Sequence, residues 1–108
     1  MAYFLLQGAY SSETWKALLA NPQNRVEAIR PVIEKLGGSV EGAWFSFGEY
    51  DVTLVMQMPD NVTAAAFALA VAAGGAFKSH KTTPLMSMED GIEAMRKASG
   101  TGYQPPGS

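Results

Sequence analysis

Apolar and polar positions along the chain fall into segments with different periods, and those periods predict an ordered series of strands and helices. Residues 2–10 (AYFLLQGAY) are aromatic and aliphatic and predict a first strand, with Gly8 marking a kink or the close approach of another backbone. Ser11 and Ser12 offer capping hydroxyls ahead of a short helix over 13–20. Asn21-Pro22 interrupts it, because proline holds the preceding residue in extended conformations. A second helix is predicted over 24–36, where Val26, Ile29, Val32 or Ile33, and Leu36 recur at helical spacing. Pro31 predicts a kink within it, and Gly37-Gly38 ends it with a left-handed cap at Gly37. Residues 39–47 and 51–58 are strand-like, and the short connection Gly48-Glu49-Tyr50 predicts an antiparallel hairpin. Within the second of these strands, Val52, Leu54, Met56 and Met58 share one face. Pro59 stops that strand, and Asp60 or Asn61 caps an alanine-rich helix over 62–73. This helix is apolar almost all round, which predicts cover on more than one side. After Gly74-Gly75 a fourth strand is predicted over 77–88, with Pro84 pointing to an edge position or a bulge. A short amphipathic helix over 88–98 follows, and residues 99–108 form a glycine-, proline- and serine-containing tail that is flexible or wraps a neighbour.

The order strand, helix, strand, strand, helix, strand is the ferredoxin-like split βαβ pattern, an α+β fold with a four-stranded antiparallel sheet. Helices cover one face of such a sheet. The other face would carry Trp44 or Phe45, depending on register, together with Val55, and an apolar face of that kind marks an interface. Association of two such faces predicts a dimeric α+β barrel. Composition points the same way: the chain has 108 residues, 47% of them hydrophobic and only 17% charged. That charged share is low for a domain with so much surface to cover. The length suits one domain, predicted over residues 1–98. Absence of cysteine excludes disulfides, thiolate metal centres and thiol nucleophiles. A net charge of -2 argues against nucleic acid and anionic membranes as partners. The start of the chain lacks a basic leader, and the longest apolar run, 13 residues over 64–76, falls short of the ~20 that span a bilayer. These features predict a cytoplasmic protein of bacterial type.

The stretch Lys35-Leu36-Gly37-Gly38-Ser39-Val40, followed by Trp44-Phe45-Ser46-Phe47-Gly48-Glu49-Tyr50-Asp51, resembles the GYD-domain proteins. These are small bacterial proteins with a Gly-x-Tyr-Asp turn between two strands. Pro59-Asp60, the helix around Ala64-Ala65-Ala66-Phe67-Ala68 and the strand at Thr82-Thr83 fit the same outline, so the resemblance covers about residues 2–95. It implies a ferredoxin-like relative of the α+β barrels and carries no established activity.

Candidate chemistry is sparse. Tyr50 and Asp51, beside Glu49, sit where the hairpin turns. They read either as turn residues, with Asp51 bonding nearby backbone N–H groups, or as a phenol and carboxylate for proton transfer. His80, the one histidine, is either a polar strand residue or a general base; histidine is also an axial haem ligand in some α+β-barrel relatives. With no second histidine and no cysteine, no metal site is expected, and no cofactor is assigned. Met56, Met58, Met86 and Met88 read as core filling or as a pliable pocket for a flat ligand. Trp15 and Trp44 read as packing residues or interface anchors. Two functions follow. One is a homo-oligomeric binding or assembly module, with a small apolar or aromatic ligand held by Trp44, Tyr50, Met56 and His80. The other is a cofactor-independent or haem-assisted enzyme, monooxygenase- or isomerase-like, acting on a small aromatic or lactone-like substrate through Tyr50, Asp51 and His80. The fold is common to both and decides neither.

Overall fold

In the computed structural model, which describes residues 1–107, strand β1 (Ala2–Tyr10) runs through the middle of a four-stranded antiparallel sheet. Helices α1 (Ser12–Ala20) and α2 (Val26–Lys35) follow it, then the hairpin of β2 (Ser39–Phe45) and β3 (Val52–Met58). Helix α3 (Asn61–Gly74), strand β4 (Phe77–Leu85) and helix α4 (Met88–Ser99) complete the chain. The strand order is β2-β3-β1-β4, which leaves β2 and β4 at the edges. This is the ferredoxin-like α+β arrangement, and Pro84 lies on an edge strand as its missing N–H requires.

Local chemistry sets the boundaries. Ser11 caps α1 by accepting from the Thr14 N–H, Asp60 caps α3 through the Thr63 N–H, and Ser87 caps α4 through the Asp90 N–H. The bonds from Thr63 hold the Asp60 carboxyl below its ordinary pKa. At the end of α2, Gly37 takes a φ of 88° while the Gly38 N–H donates to the Ile33 carbonyl, a pairing that needs a residue free to turn left-handed. Pro31 sits inside α2 on an exposed position, so its missing N–H is lost from the solvent side.

Period-two alternation in the central strands sends Phe4, Leu6, Leu54, Met56 and Met58 to one face, where Ile33 of α2 and Ala64 and Phe67 of α3 close over them. A β-bulge between Val40 and Gly42 inserts one residue into β2. Without it Trp44 would lie opposite Val52, on the helix-covered side. With it Phe45 takes that place and Trp44 pairs with Thr53 on the outer face. The register therefore selects Trp44 over Phe45 as the aromatic of the open face, where it joins Val55, Leu5 and Tyr3.

Two expectations are corrected. Helix α3 is covered on one side only: Ala64 and Phe67 are buried, whereas Val62 and Leu69 are exposed, because its single contact layer is the sheet. The methionines divide as well. Met56 and Met58 are core residues with no exposure, while Met86 and Met88 lie past the end of β4 and are largely exposed. Helix α4 has no buried residue, and Met88, Ile92 and Met95, spaced four and three apart, form an exposed apolar stripe along it. The Cα radius of gyration is 17.4 Å, against ~13 Å for a compact chain of this length.

Phe67 is the largest fully buried side chain and joins α3 to the sheet. Phe67→Ala should cost about 3–5 kcal/mol of unfolding free energy, read by chemical denaturation.

Candidate functional site

The hairpin between β2 and β3 is closed in an unusual way. Beyond the Gly8–Val52 pair the ladder between β1 and β3 stops, because Val52 is the first residue of β3. Asp51 bridges the gap: its N–H donates to the Gly8 carbonyl at 2.8 Å, and its Oδ2 accepts from the Tyr10 N–H at 2.9 Å. The carboxylate thus replaces the backbone carbonyl that the next ladder pair would have supplied. Across the turn, the Ser46 N–H donates to the Asp51 carbonyl and the Ser46 hydroxyl donates to the Tyr50 carbonyl. The connection therefore spans 46–51, longer than the three residues expected from the pattern.

This clamp fixes Tyr10 at the end of β1. Its ring stacks on Phe77 with centroids 4.7 Å apart, and Trp15 of α1 meets it edge-on at 5.4 Å. Trp15 in turn meets Phe45 edge-on at 5.8 Å. Such offset and edge contacts suit the aromatic quadrupole. Gly8 makes the stack possible, since a Cβ there would come within 2.5 Å of the Phe77 ring. What approaches Gly8 closely is thus a ring rather than a neighbouring backbone.

Beside this cluster lies an open cleft of about 490 Å³, within the size range of small-molecule sites. Its apolar wall is Tyr10, Leu18, Val26, Ala43, Phe45 and Val52, and its polar rim is Gln23, Asn24, Arg25, Glu27 and Arg30. The rim comes from the α1–α2 connection and the first turns of α2, where the Asn24 side chain accepts from the Val26 N–H at 3.0 Å. Arg30 is paired with Glu27 at 3.3 Å; Arg25 has no carboxylate partner among the described residues. Burial raises the Tyr10 pKa, with the Arg25 charge opposing the rise and the Asp51 charge adding to it. Tyr10 is consequently a neutral hydrogen-bond donor at physiological pH.

A family model described as the GYD domain matches residues 4–95. The chain belongs to the GYD-domain family. In this GYD domain the Tyr-Asp pair of the turn is placed by the contacts above, with Asp51 facing the β1 backbone. No curated protein matches the chain. Among solved structures, it is similar to one titled "crystal structure of FFRP-DM1", at 15% identity and a TM-score of 0.51, over 80% of this chain and 100% of that one. That likeness concerns the fold. Among the described residues no helix is long and apolar enough to cross a membrane.

The sequence candidates are scattered over the GYD domain. Trp44 borders the cleft from the edge strand, with its ring lying over Gly42. Met56 is wholly buried in the core. Tyr50 is half-buried in the turn, and its carbonyl is engaged by Ser46. His80 is half-buried on β4 opposite Gly8 and is not among the residues that line the cleft beside Tyr10. No hydrogen bond joins Tyr50, Asp51 and His80 to one another among the described residues. Asp51 accepts from an N–H 41 residues away, instead of from the nearby N–H groups of its own turn. Tyr10 and Arg25, the polar residues nearest the apolar wall, escape sequence reasoning, since Tyr10 ends an ordinary strand and Arg25 precedes an ordinary helix. The proline break at 21–22 was the one available signal that a loop would present side chains beside the strand ends.

Two measurements check this geometry. Asp51→Ala should cost about 1–3 kcal/mol, because it leaves a half-buried N–H unpaired, and Asp51→Asn should cost less, because its carbonyl oxygen can still accept. Denaturation at neutral pH distinguishes them. Because the folded state favours the neutral phenol, Tyr10 contributes stability that is present below pH 10.0 and fades as pH rises through its higher folded value. An alkaline ultraviolet titration should show a late-ionising phenol that is missing in Tyr10→Phe.

Proposed function

We propose that the protein is a small homo-oligomeric α+β-barrel module that binds an apolar or aromatic small molecule in the cleft beside Tyr10. The observation that carries this reading is the cleft itself: a wall of aromatic and aliphatic side chains with a few polar groups on one rim, the usual make-up of a ligand site. Trp44 is the member of the sequence-derived ligand set that borders it. Assembly is supported by the outer sheet face, where Trp44, Tyr3 and Leu85 are exposed around the half-buried Leu5 and Val55. Contiguous apolar surface of that kind on a chain with few charges favours contact with a second copy. The exposed stripe of Met88, Ile92 and Met95 adds to it, since an isolated 12-residue helix is marginal in water and gains stability by burying such a stripe.

Acid–base catalysis through Tyr50, Asp51 and His80 has less support, because the Asp51 carboxylate is committed to the Tyr10 N–H. Native mass spectrometry of the protein from its own host tests the proposal. We expect an even-numbered assembly that retains a small organic molecule, and Trp44→Lys should shift it toward monomer while leaving the circular dichroism unchanged. A spectrum of bare monomer would overturn the reading.

A further inference from the structure

Resting on the ligand-binding reading above, we infer that the cleft selects a small monocarboxylate with an aromatic or branched aliphatic body, its carboxylate held by the Arg25 guanidinium and the Tyr10 hydroxyl. Tyr10 is 6% exposed, so its ring is buried, yet its hydroxyl is not sealed in and has no hydrogen-bond partner among the described residues. A phenol fixed by two aromatic neighbours and a backbone clamp, with an unpaired hydroxyl on a side chain that lines the cleft, is a preorganised recognition group. Arg25 supplies the charge. It borders the same cleft, its guanidinium influences the Tyr10 phenol, and no carboxylate of the protein neutralises it among the described residues. A guanidinium presents parallel N–H donors that match the two oxygens of a carboxylate.

The charge balance chooses the anion. Arg30 and Glu27 cancel each other on the rim, and the Asp51 carboxylate, whose charge reaches the Tyr10 phenol, is held by the Tyr10 N–H outside the cleft lining, which leaves Arg25 as the unpaired cation and the Tyr10 hydroxyl as a neutral donor for the ligand. One carboxylate satisfies both. A phosphate monoester would bring close to two negative charges beside the Glu27 carboxylate, with a single cation to meet them. The apolar wall of Leu18, Val26, Ala43 and Val52 then takes the body of the molecule.

Phenylacetate, phenylacetamide and phenyl phosphate share one ring and differ at the head group, so NMR titration of the full chain with each separates the possibilities. Phenylacetate should shift the amides of residues 23–27 and bind about tenfold or more tightly than phenylacetamide, the scale of a charge-assisted contact. Arg25→Gln should erase that preference by weakening phenylacetate to the level of phenylacetamide. Tyr10→Phe, which keeps the stacked ring, should weaken phenylacetate by about three- to tenfold. Equal binding of phenylacetate and phenylacetamide overturns the carboxylate inference and leaves the apolar cleft standing. Tighter binding of phenyl phosphate overturns the choice of anion. Failure of all three probes to bind removes both this inference and the ligand-binding reading beneath it.

Discussion

The two hydrogen bonds between Asp51 and the end of β1 set the geometry on which the cleft depends. Antiparallel strands that stay paired leave no room between them, and strands that part expose N–H and C=O groups that must find partners. Asp51 lets β3 part from β1 after Gly8 without that cost, because its carboxylate takes the N–H of Tyr10. The hairpin can then swing clear and carry Phe45 toward Trp15. An aspartate suits the position because its side chain is short enough to stand in for a backbone carbonyl one residue further along. In the GYD turn Asp51 is thus bonded to the β1 backbone at the end of the ladder, while Tyr50 lends its carbonyl to the Ser46 hydroxyl.

The second constraint is register. A single inserted residue in β2 exchanges the faces of every residue after it, as a period of two demands. One consequence is that Phe45 stays on the helix-covered side and completes the aromatic chain running from Phe77 through Tyr10 and Trp15. The other is that Trp44 is delivered to the open face. Both residues border the cleft, so one bulge in an edge strand shapes the cleft and the outer surface together.

What was legible in the sequence is what local chemistry decides. β1 begins and ends where its apolar run does, Ser11 and Asp60 cap the helices they precede, and Gly37 turns left-handed after α2. Alternation in β3 likewise identified the face that became the core. The bulge was not legible, because Glu41-Gly42 carries no mark separating an inserted residue from a paired one. Nor was the partner of Asp51: a bond across 41 residues leaves no periodic trace. Met86 and Met88 read like Met56 and Met58 because side-chain type records hydrophobicity, whereas burial depends on whether the sheet extends beneath them. Tyr10 and Arg25 are unremarkable residues until the fold sets them beside one cleft.

The apolar surface that remains uncovered bears on how the fold is held together. Phe47, Val62, Leu69, Met88 and Met95 are all exposed, and they lie in different elements: the hairpin turn, α3 and α4. Scattered apolar residues are ordinary on a protein surface, but rows of them on a helix or a sheet face are not. Here two rows stand out, the stripe of Met88, Ile92 and Met95 along α4 and the group of Tyr3, Leu5, Trp44, Val55 and Leu85 on the outer face, which Gln7, Thr53, Gln57 and Lys81 share. With only 17% charged residues, the chain has little polar surface with which to break such rows. The core formed by Phe4, Leu6, Ile33, Leu54, Met56, Met58 and Phe67 spends the helix-covered face of the sheet. The opposite face carries Tyr3, Trp44 and Leu85 exposed. The low charge content and the open sheet face are thus two expressions of one composition, in which the chain carries more apolar surface than a single helix layer buries.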